Sequence, residues 1–180
     1  MEITKTSIEG LLILTPKVHT DPRGYFFENF RKNHFEELGI DIDFIQENES
    51  MSQERTIRGL HLQAPPHAQD KLIRVIKGSI LDIAVDIRSE SPTYGQHVAI
   101  TLSEDNKTSF LVPRGFAHGF YCLENDTIVN YKCSDYYNPE SEMGLFWNDP
   151  KMGIEWPILD PIVSEKDKHQ PRLQDFKSPF

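Results

Sequence analysis

The sequence has few cysteines, no long apolar run and no excess of basic residues, and each shortage excludes a class of protein. Its two cysteines, Cys122 and Cys133, lack the spacing of a zinc site or a redox pair, so we expect reduced thiols. No stretch approaches the roughly 20 apolar residues that a membrane-spanning helix needs. The first residues also lack the basic and apolar regions of a secretory signal. A cytoplasmic protein with no membrane partner is therefore expected.

The charge balance argues against polyanionic partners. Asp and Glu number 28 against 19 Lys and Arg, which gives a net charge of −9. The chain as a whole should therefore repel nucleic acid and anionic lipid, although an anionic small molecule could bind at a local basic cluster.

With 180 residues and 38% hydrophobic content, a single globular domain spanning residues 1–180 is expected.

Short runs of alternating residues recur between turn signals, and they predict strands. In the clearest run, residues 80–88, the odd-numbered positions from 81 to 87 are apolar and the even-numbered positions include two aspartates. Comparable runs lie at residues 71–77, 109–113, 119–123 and 127–133. Many short strands at this spacing favour an all-β sandwich or barrel.

Two helix signals lie near the ends of the chain. Residues 31–38 precede a glycine at position 39 and are predicted to form a short helix. Ser164, followed three positions later by Asp167, has the pattern of a helix N-cap. The segment after Trp147 is rich in Pro, Lys and Asp, and we expect turns and short helices there, packed against the barrel.

One segment resembles the metal-binding motifs of the cupins, a family of jelly-roll barrels, but its ligand set is incomplete. PRGFAH, residues 113–118, has the form of the second cupin motif. In the first motif, Gln63 replaces the second histidine and Lys71 replaces the carboxylate. An ammonium repels a divalent cation and offers no lone pair, and open metal sites usually keep three protein ligands. His61 and His118 alone make a poor metal site, so we expect no metal.

A different chemistry fits the residues that remain. If His61, Lys71 and Tyr131 all face the interior of the barrel, they form a set suited to proton transfer. A neutral imidazole can accept a proton near pH 7, an ammonium can stabilise a developing oxyanion, and a phenol can return a proton from another side.

The chain resembles the dTDP-4-dehydrorhamnose 3,5-epimerase family over residues 3–173. The matching blocks, in order, are DPRGYFFENF (21–30), QENESMS (46–52), RGLHLQAPPHAQDKLIRVIKG (58–78), DIAVDIRSESPTYG (82–95), LVPRGFAHGF (111–120), YKCSDYYNPESEMGLFWNDP (131–150) and SEKD (164–167). The resemblance implies an all-β jelly-roll (cupin-like) barrel with a few short helices near the termini. It also implies a homodimer with shared active sites, no metal or organic cofactor, and a dTDP-linked 4-keto-6-deoxy sugar as substrate, in dTDP-L-rhamnose biosynthesis.

The resemblance assigns catalytic roles to four residues. His61 in RGLH corresponds to the base that removes a proton from a carbon beside the C4 ketone, and Asp167 in SEKD to the carboxylate that fixes its tautomer. Tyr131 in YKCSDYY corresponds to the acid on the opposite face of the sugar. Lys71 corresponds to the residue that stabilises the enolate oxygen.

Ten further residues match positions that bind substrate in the family. Arg23, Arg58 and Lys166 correspond to residues that bind the pyrophosphate, and Gln46, Asn48, Glu28 and Glu142 to residues that position the base and the sugars. Tyr137 corresponds to the tyrosine that stacks on thymine, and His118 to a residue at the pocket floor. Phe26 and Arg23 lie in a segment that, in this family, reaches into the partner's pocket. Guanidinium groups suit a pyrophosphate because they donate two parallel hydrogen bonds.

Three positions depart from the family pattern, namely Leu62 where tyrosine is usual, Arg55 where glycine is common, and Asp70 where a small residue is frequent. These departures remove no catalytic group, but they leave the substrate open, because some relatives with the same fold invert only C3 or only C5, and some act on other sugars or other nucleotides. A metal-dependent cupin and a non-catalytic sugar-binding cupin are the other classes considered.

Several residues also have plain structural interpretations. Tyr131 could be a strand aromatic that fills the barrel, and Asp167 could cap a helix N-terminus. Arg23 equally suits a simple turn, and His118 could be a hydrogen-bonded structural histidine.

Overall fold

The computed structural model describes residues 1–157 and 160–180, so residues 158 and 159 of the predicted C-terminal turns lie outside the described residues. In chain order the elements are β1 (Glu2–Lys5), β2 (Leu12–Thr15), β3 (His19–Asp21), β4 (Gly24–Phe26), α1 (Lys32–Glu37), β5 (Gln46–Ser52), β6 (Thr56–Gln63), β7 (Lys71–Lys77), β8 (Ser79–Asp86), β9 (His97–Ser103), β10 (Ser109–Val112), β11 (Phe116–Cys122), β12 (Thr127–Cys133), β13 (Glu142–Gly144), a 3-10 helix (Pro150–Met152), β14 (Ile162–Val163) and α2 (Glu165–Lys168).

Two sheets form the body of the molecule. The first sheet has the strand order β1-β2-β10-β7-β12-β5, and the second has the order β13-β6-β11-β8-β9, with β14 added beside β6. Their strands pair antiparallel except at β14, which runs parallel to β6. A buried core between the sheets includes Ile73, Phe110, Phe120 and Val129. The expected all-β fold with a few short helices is confirmed.

The predicted elements match the observed ones to within a few residues. The helix expected over residues 31–38 is α1, and Gly39 follows it with a φ of 80°. Ser164 caps α2 as predicted, since its hydroxyl accepts a hydrogen bond from the Asp167 backbone N–H at 3.1 Å. Strands β1 to β5, β9, β13 and β14 were not predicted individually from the sequence. None of the helices in the described residues is long and apolar enough to cross a membrane.

The alternating strand β8 buries both of its faces. Its apolar positions Ile83 and Val85 pack outside the barrel against Leu145, Met152 and Phe176, which belong to segments after β13. The C-terminal segment thus covers the outer face of the second sheet. The opposite face of β8 points to the barrel interior, so its two aspartates are also buried and need hydrogen-bond partners.

One of these aspartates, Asp86, organises the turn that carries the sequence SPTYG. Its carboxylate accepts hydrogen bonds from Arg88, from the Ser91 hydroxyl at 2.6 Å and from the Thr93 hydroxyl at 2.6 Å. Burial alone would raise the pKa of Asp86, but the hydrogen bonds from Arg88, Ser91 and Thr93 lower that pKa from 3.8 to about 2. This part of the family pattern therefore stabilises a turn.

The shifted pKa of Asp86 predicts a pH-dependent contribution to stability. One pKa unit corresponds to about 1.4 kcal/mol, so the ionised carboxylate contributes about 2 kcal/mol to the free energy of unfolding at neutral pH. Because the folded-state pKa is lowered, this contribution is present above pH 3.8 and is lost as the pH falls to about 2. Asp86→Asn should therefore unfold more easily than wild type in urea at pH 7, and the difference should shrink below pH 4.

The matched control for this prediction is Asp105→Asn, which changes an exposed aspartate in a turn. It should follow the wild-type stability curve across the same pH range. A difference between Asp86→Asn and wild type that stays constant from pH 7 to pH 3 would contradict the assignment.

Candidate active site

Two adjoining cavities open between the sheets, each with a volume of about 460 Å³. One cavity, here called the inner arm, reaches His118 and Phe120 inside the barrel and is walled by β14 and α2. The other, here called the outer arm, reaches Tyr137 and Glu142. Five residues line both arms, and they mark the junction: Ser50, Arg58, His61, Lys71 and Tyr131. Three of the four predicted catalytic residues therefore meet at one place.

The fourth predicted catalytic residue, Asp167, is paired with His61. The His61 Nε2–H donates to Asp167 Oδ1 at 2.5 Å. The Asp167 side chain is 4% exposed, whereas the His61 side chain is 30% exposed, so the imidazole keeps access to the cavity. Its Nδ1 remains to accept a proton. The parallel pairing of Ile162 with Thr56, which joins β14 to β6, brings α2 and its aspartate to the strand that carries His61.

The environment of Asp167 keeps its carboxyl ionised. Burial alone would raise the pKa of this group, but the hydrogen bond and charge of His61, the Ser164 cap and the Gly59 backbone N–H together lower it below the usual value. An ionised carboxylate holds the imidazole in one tautomer and stabilises the imidazolium that forms when it accepts a proton. Asp167 therefore lies in the first turn of a capped helix and also accepts the hydrogen bond that orients His61.

Tyr131 faces His61 from the other sheet. It lies on β12 of the first sheet, His61 lies on β6 of the second sheet, and both line the same cavities. Burial and the nearby Cys133 raise the pKa of the Tyr131 phenol. The phenol is therefore protonated at neutral pH and can donate a proton. Tyr131 also packs against the core between the sheets, as its plain structural interpretation expects.

Lys71 is one of two cations at this junction, together with Arg58. Its strand β7 pairs with β12, where Lys71 stands opposite Cys133. Burial lowers the pKa of the Lys71 ammonium, whereas the charges of Cys133, Asp82 and Glu142 oppose that shift. A desolvated ammonium interacts more strongly with an oxyanion than an exposed one does.

His118 forms a second buried pair, with Asp82. The His118 Nε2–H donates to Asp82 Oδ1 at 2.7 Å, and His118 stands opposite His61 in the pairing of β11 with β6. The two strands approach so closely here that a Cβ on Gly59, which has a φ of 125°, would lie 2.5 Å from the Gly119 Cα. His118 is thus a hydrogen-bonded histidine that also lines the inner arm.

A connected set of polar side chains extends along the outer arm to Lys166, which lines the inner arm. The Tyr137 hydroxyl donates to Glu142 Oε2 at 2.7 Å, and the Lys166 ammonium lies 2.5 Å from the same oxygen. The Tyr137 backbone N–H donates to Gln46 Oε1, and Gln46 donates in turn to Asn48 Oδ1 at 3.3 Å. Five predicted binding residues are therefore joined by hydrogen bonds or an ion pair.

Three predicted binding residues lie away from both arms. Arg23 and Phe26 belong to the β3–β4 hairpin, whose six strand positions are all exposed. The Arg23 side chain is 90% exposed and pairs with Asp21, and Phe26 is 72% exposed. Glu28 lies within 3.4 Å of Arg31. Within one subunit, these residues do not contribute to the site.

The three departures from the family pattern have local explanations. Arg55 has a φ of 70°, a left-handed conformation that glycine adopts without strain, and it hydrogen-bonds Asp160. Leu62 is buried in the cluster outside the second sheet. Asp70 accepts two hydrogen bonds from the Arg114 guanidinium. Arg55 and Asp70 thus act in hydrogen bonds of the scaffold, whereas Leu62 packs in that cluster and also lines the outer arm.

Sequence reasoning missed several residues that line the two arms. The apolar wall of the inner arm includes Ile57, Phe120, Ile162 and Val163. Ser50 was also missed, although the alternation of β5 could have found it, because it shares an inward face with the predicted residues two and four positions earlier. In residues 1–157 and 160–180, no cluster of three or more His, Cys, Asp or Glu side chains is arranged to hold a metal ion.

Comparisons with known proteins agree with this geometry. The family model of dTDP-4-dehydrorhamnose 3,5-epimerase matches residues 5–175. An epimerase of that name from Methanothermobacter thermautotrophicus is 48% identical over 95% of this chain and 94% of its own length. One from Salmonella typhimurium is 47% identical, over 96% of each chain.

Solved structures extend the similarity to the fold. A dTDP-6-deoxy-D-glucose-3,5-epimerase from Legionella pneumophila, in complex with dTDP-4-keto-L-rhamnose, superposes with a TM-score of 0.94 at 44% identity, over 98% of this chain and 94% of that one. A dTDP-4-dehydrorhamnose 3,5-epimerase from Elizabethkingia anophelis gives a TM-score of 0.93 at 43% identity, over 97% of each chain. The expected jelly-roll, cupin-like fold is confirmed. The chain belongs to the dTDP-4-dehydrorhamnose 3,5-epimerase family, the isomerases of dTDP-rhamnose biosynthesis.

Proposed function

We propose that this chain inverts C3 and C5 of dTDP-4-dehydro-6-deoxyglucose by proton transfer between His61 and Tyr131, without a metal or organic cofactor. The observation that carries the proposal is their placement on opposite sheets, as walls of one cavity. A hexose ring bound between them would present one face to an imidazole and the other to a phenol. The substrate itself is suggested by the relatives, one of which holds dTDP-4-keto-L-rhamnose.

The first step breaks a C–H bond beside the C4 ketone. His61 Nδ1 takes the proton, and the electron pair of the bond forms a C=C bond while the C4 oxygen becomes an enolate. Asp167, paired with the opposite ring nitrogen, stabilises the imidazolium. Lys71 at the same junction supplies positive charge for the enolate oxygen. Because C3 and C5 both neighbour C4, one enolate oxygen and one ammonium can serve both inversions.

The second step returns a proton to the opposite face of the same carbon. The Tyr131 O–H donates it, the C=C electron pair forms the new C–H bond, and the ketone is restored. Tyr131 then regains a proton from solvent, and His61 releases its own to solvent. A phenol with a raised pKa remains protonated at neutral pH and is ready for this role.

Binding of the nucleotide follows from the charges and rings around the cavities. We assign the outer arm, with Tyr137, Gln46 and Asn48, to the thymidine, and the inner arm, with His118 at its floor, to the sugar. Arg58 and Lys166 are then the pyrophosphate ligands, and Glu142 lies between Tyr137 and Lys166. Residues 1–180 would act as a single jelly-roll domain.

The exposed hairpin suggests that two subunits share their sites. Arg23, Phe26 and Glu28 match substrate-binding positions of the family but lie outside both arms of their own subunit. We assign them to the pocket of a partner in a homodimer, where Arg23 would add a second guanidinium for the pyrophosphate. We also assign the protein to the cytoplasm, since Cys122 and Cys133 are both free thiols.

The function is tested by incubating the enzyme with dTDP-4-dehydro-6-deoxyglucose in D₂O and following the sugar by NMR. Solvent deuterium should appear at C3 and at C5, and the product should have the opposite configuration at both carbons. Exchange at one carbon alone would indicate a single-centre epimerase, such as the 3′-monoepimerase from Streptomyces bikiniensis that shares 32% identity with this chain. No exchange at either carbon would contradict the proposal.

Replacing the base should abolish exchange. His61→Asn keeps a polar side chain of similar size but cannot accept the proton, so deuterium incorporation should fall by about 10²–10⁴-fold at both carbons. His97→Asn, a change on the edge strand β9 outside both arms, is the matched control and should exchange at the wild-type rate. Exchange in His61→Asn within a few fold of wild type would show that another group is the base.

Replacing the acid should separate exchange from inversion. Tyr131→Phe retains His61, so a proton can still leave and return on the same face, and deuterium should enter with the starting configuration retained. The rate of inversion should fall by about 10²–10⁴-fold. Tyr121→Phe, which changes a buried tyrosine outside both arms, should invert normally. Equal losses of exchange and inversion in Tyr131→Phe would contradict its role on the opposite face.

Sharing of sites between subunits can be tested by complementation. Arg23→Ala and His61→Asn should each have low activity, because each site needs Arg23 from one subunit and His61 from the other. Co-expressing the two variants should produce heterodimers in which one site has both residues intact, so about a quarter of the wild-type activity should return with random pairing. A mixture no more active than the better single variant would show that each subunit uses its own Arg23.

A further inference from the structure

Ser50 occupies the junction of the two arms but matches none of the predicted substrate-binding or catalytic residues. It lies on β5 and lines both cavities together with Arg58, His61, Lys71 and Tyr131. The alternation of β5 turns its side chain to the same side as the side chains two positions before and after it. Ser50 is thus the member of the junction whose role is still open.

The Ser50 hydroxyl is buried without a protein partner. Its Oγ makes no hydrogen bond with any group in residues 1–157 and 160–180. The neighbours on the same side of β5 are both engaged, since Asn48 donates to the Cys133 Sγ at 3.8 Å and the Ser52 Oγ accepts from Arg58 at 2.9 Å. A buried hydroxyl without a partner lowers stability, and such groups are retained chiefly where function uses them.

Arg58 lies next to Ser50 and is held there by the same strand. Its Nε–H donates to the Ser52 hydroxyl, and its Nη2–H donates to the Met51 backbone oxygen at 3.2 Å. Two of its donors are therefore used by β5, and the guanidinium charge remains at the junction. A hydroxyl donor beside a fixed guanidinium is a combination that suits a phosphate oxygen.

The shape of the site places a diphosphate at this position. If thymidine fills the outer arm beside Tyr137, and the sugar lies between His61 and Tyr131 and extends into the inner arm, then Arg58 and Ser50 are the two residues common to both arms that remain for the diphosphate linking them. We propose that Ser50 is a substrate-binding residue whose hydroxyl donates a hydrogen bond to an oxygen of the pyrophosphate, beside Arg58. The inference rests on the proposed function, because it takes the two arms to hold the two ends of a dTDP-sugar.

The test compares Ser50→Ala with wild type in calorimetric titrations with dTDP and with thymidine. A lost hydrogen bond to a charged phosphate should weaken dTDP binding by about 10- to 100-fold, while thymidine binding should not change. In the exchange assay, KM should rise and kcat should stay near the wild-type value. The matched control is Ser109→Ala, a buried serine on β10 of the same sheet that lines neither arm, and it should bind dTDP as wild type does.

The melting temperature without ligand distinguishes a binding role of Ser50 from a structural one, because loss of a structural hydrogen bond would lower it. Removing an unpartnered hydroxyl should leave the melting temperature of Ser50→Ala equal to that of wild type or higher. A lower melting temperature together with unchanged dTDP affinity would overturn the inference.

Other outcomes also decide the question. Equal losses of thymidine and dTDP affinity would place the hydroxyl at the nucleoside, and a loss of kcat with unchanged dTDP affinity would place it at the sugar. Either result overturns the inference while leaving the proposed function in place. If wild type neither binds dTDP nor catalyses exchange, the proposed function fails and the inference fails with it.

Discussion

The hydrogen bond between His61 and Asp167 joins the two parts of the molecule on which the site depends. His61 belongs to β6 in the second sheet, whereas Asp167 comes from α2, more than a hundred residues later in the chain. The aspartate is buried, and hydrogen bonds from three directions keep it ionised. A carboxylate in that position determines which imidazole nitrogen is left to take a proton. The parallel addition of β14 to β6 is the structural device that makes this contact possible.

The jelly roll supplies the second constraint, which is that His61 and Tyr131, the proposed proton-transfer groups, belong to different sheets. The sheets face each other, so a side chain from β6 and a side chain from β12 enter the cavity from opposite walls. Inversion at carbon needs this arrangement, because the proton must leave one face of the ring and return to the other. Lys71, which comes from β7 next to β12, adds positive charge to the same cavity, where the proposed mechanism puts the ketone oxygen. Burial of this junction strengthens each of these electrostatic interactions.

Much of the fold could be predicted from local patterns, because alternation and turn residues act over a few positions. The strands over residues 71–77 and 127–133, the glycine stop after α1 and the Ser164 cap were all visible in this way. Alternation did not reveal that both faces of β8 are buried, since the second face is covered by a C-terminal segment distant in sequence. The partner of the buried Asp82, His118, is likewise set by a tertiary contact. The motif matches likewise named most of the residues at the junction. Of the missed lining residues, Ser50 could have been found from the alternation of β5, whereas Ile162 carries no signal in the sequence.

The central claim is that the sugar ring lies between His61 and Tyr131, and a crystal structure of the enzyme with dTDP-L-rhamnose tests it most directly. This ligand has the configuration of the product but no C4 carbonyl, so it cannot react. The account predicts that the ring separates the two side chains, with the imidazole facing one side of C3 and C5, the phenol facing the other, and the Lys71 ammonium beside the C4 oxygen. A ring with both side chains on the same face, or one bound outside the barrel, would contradict it.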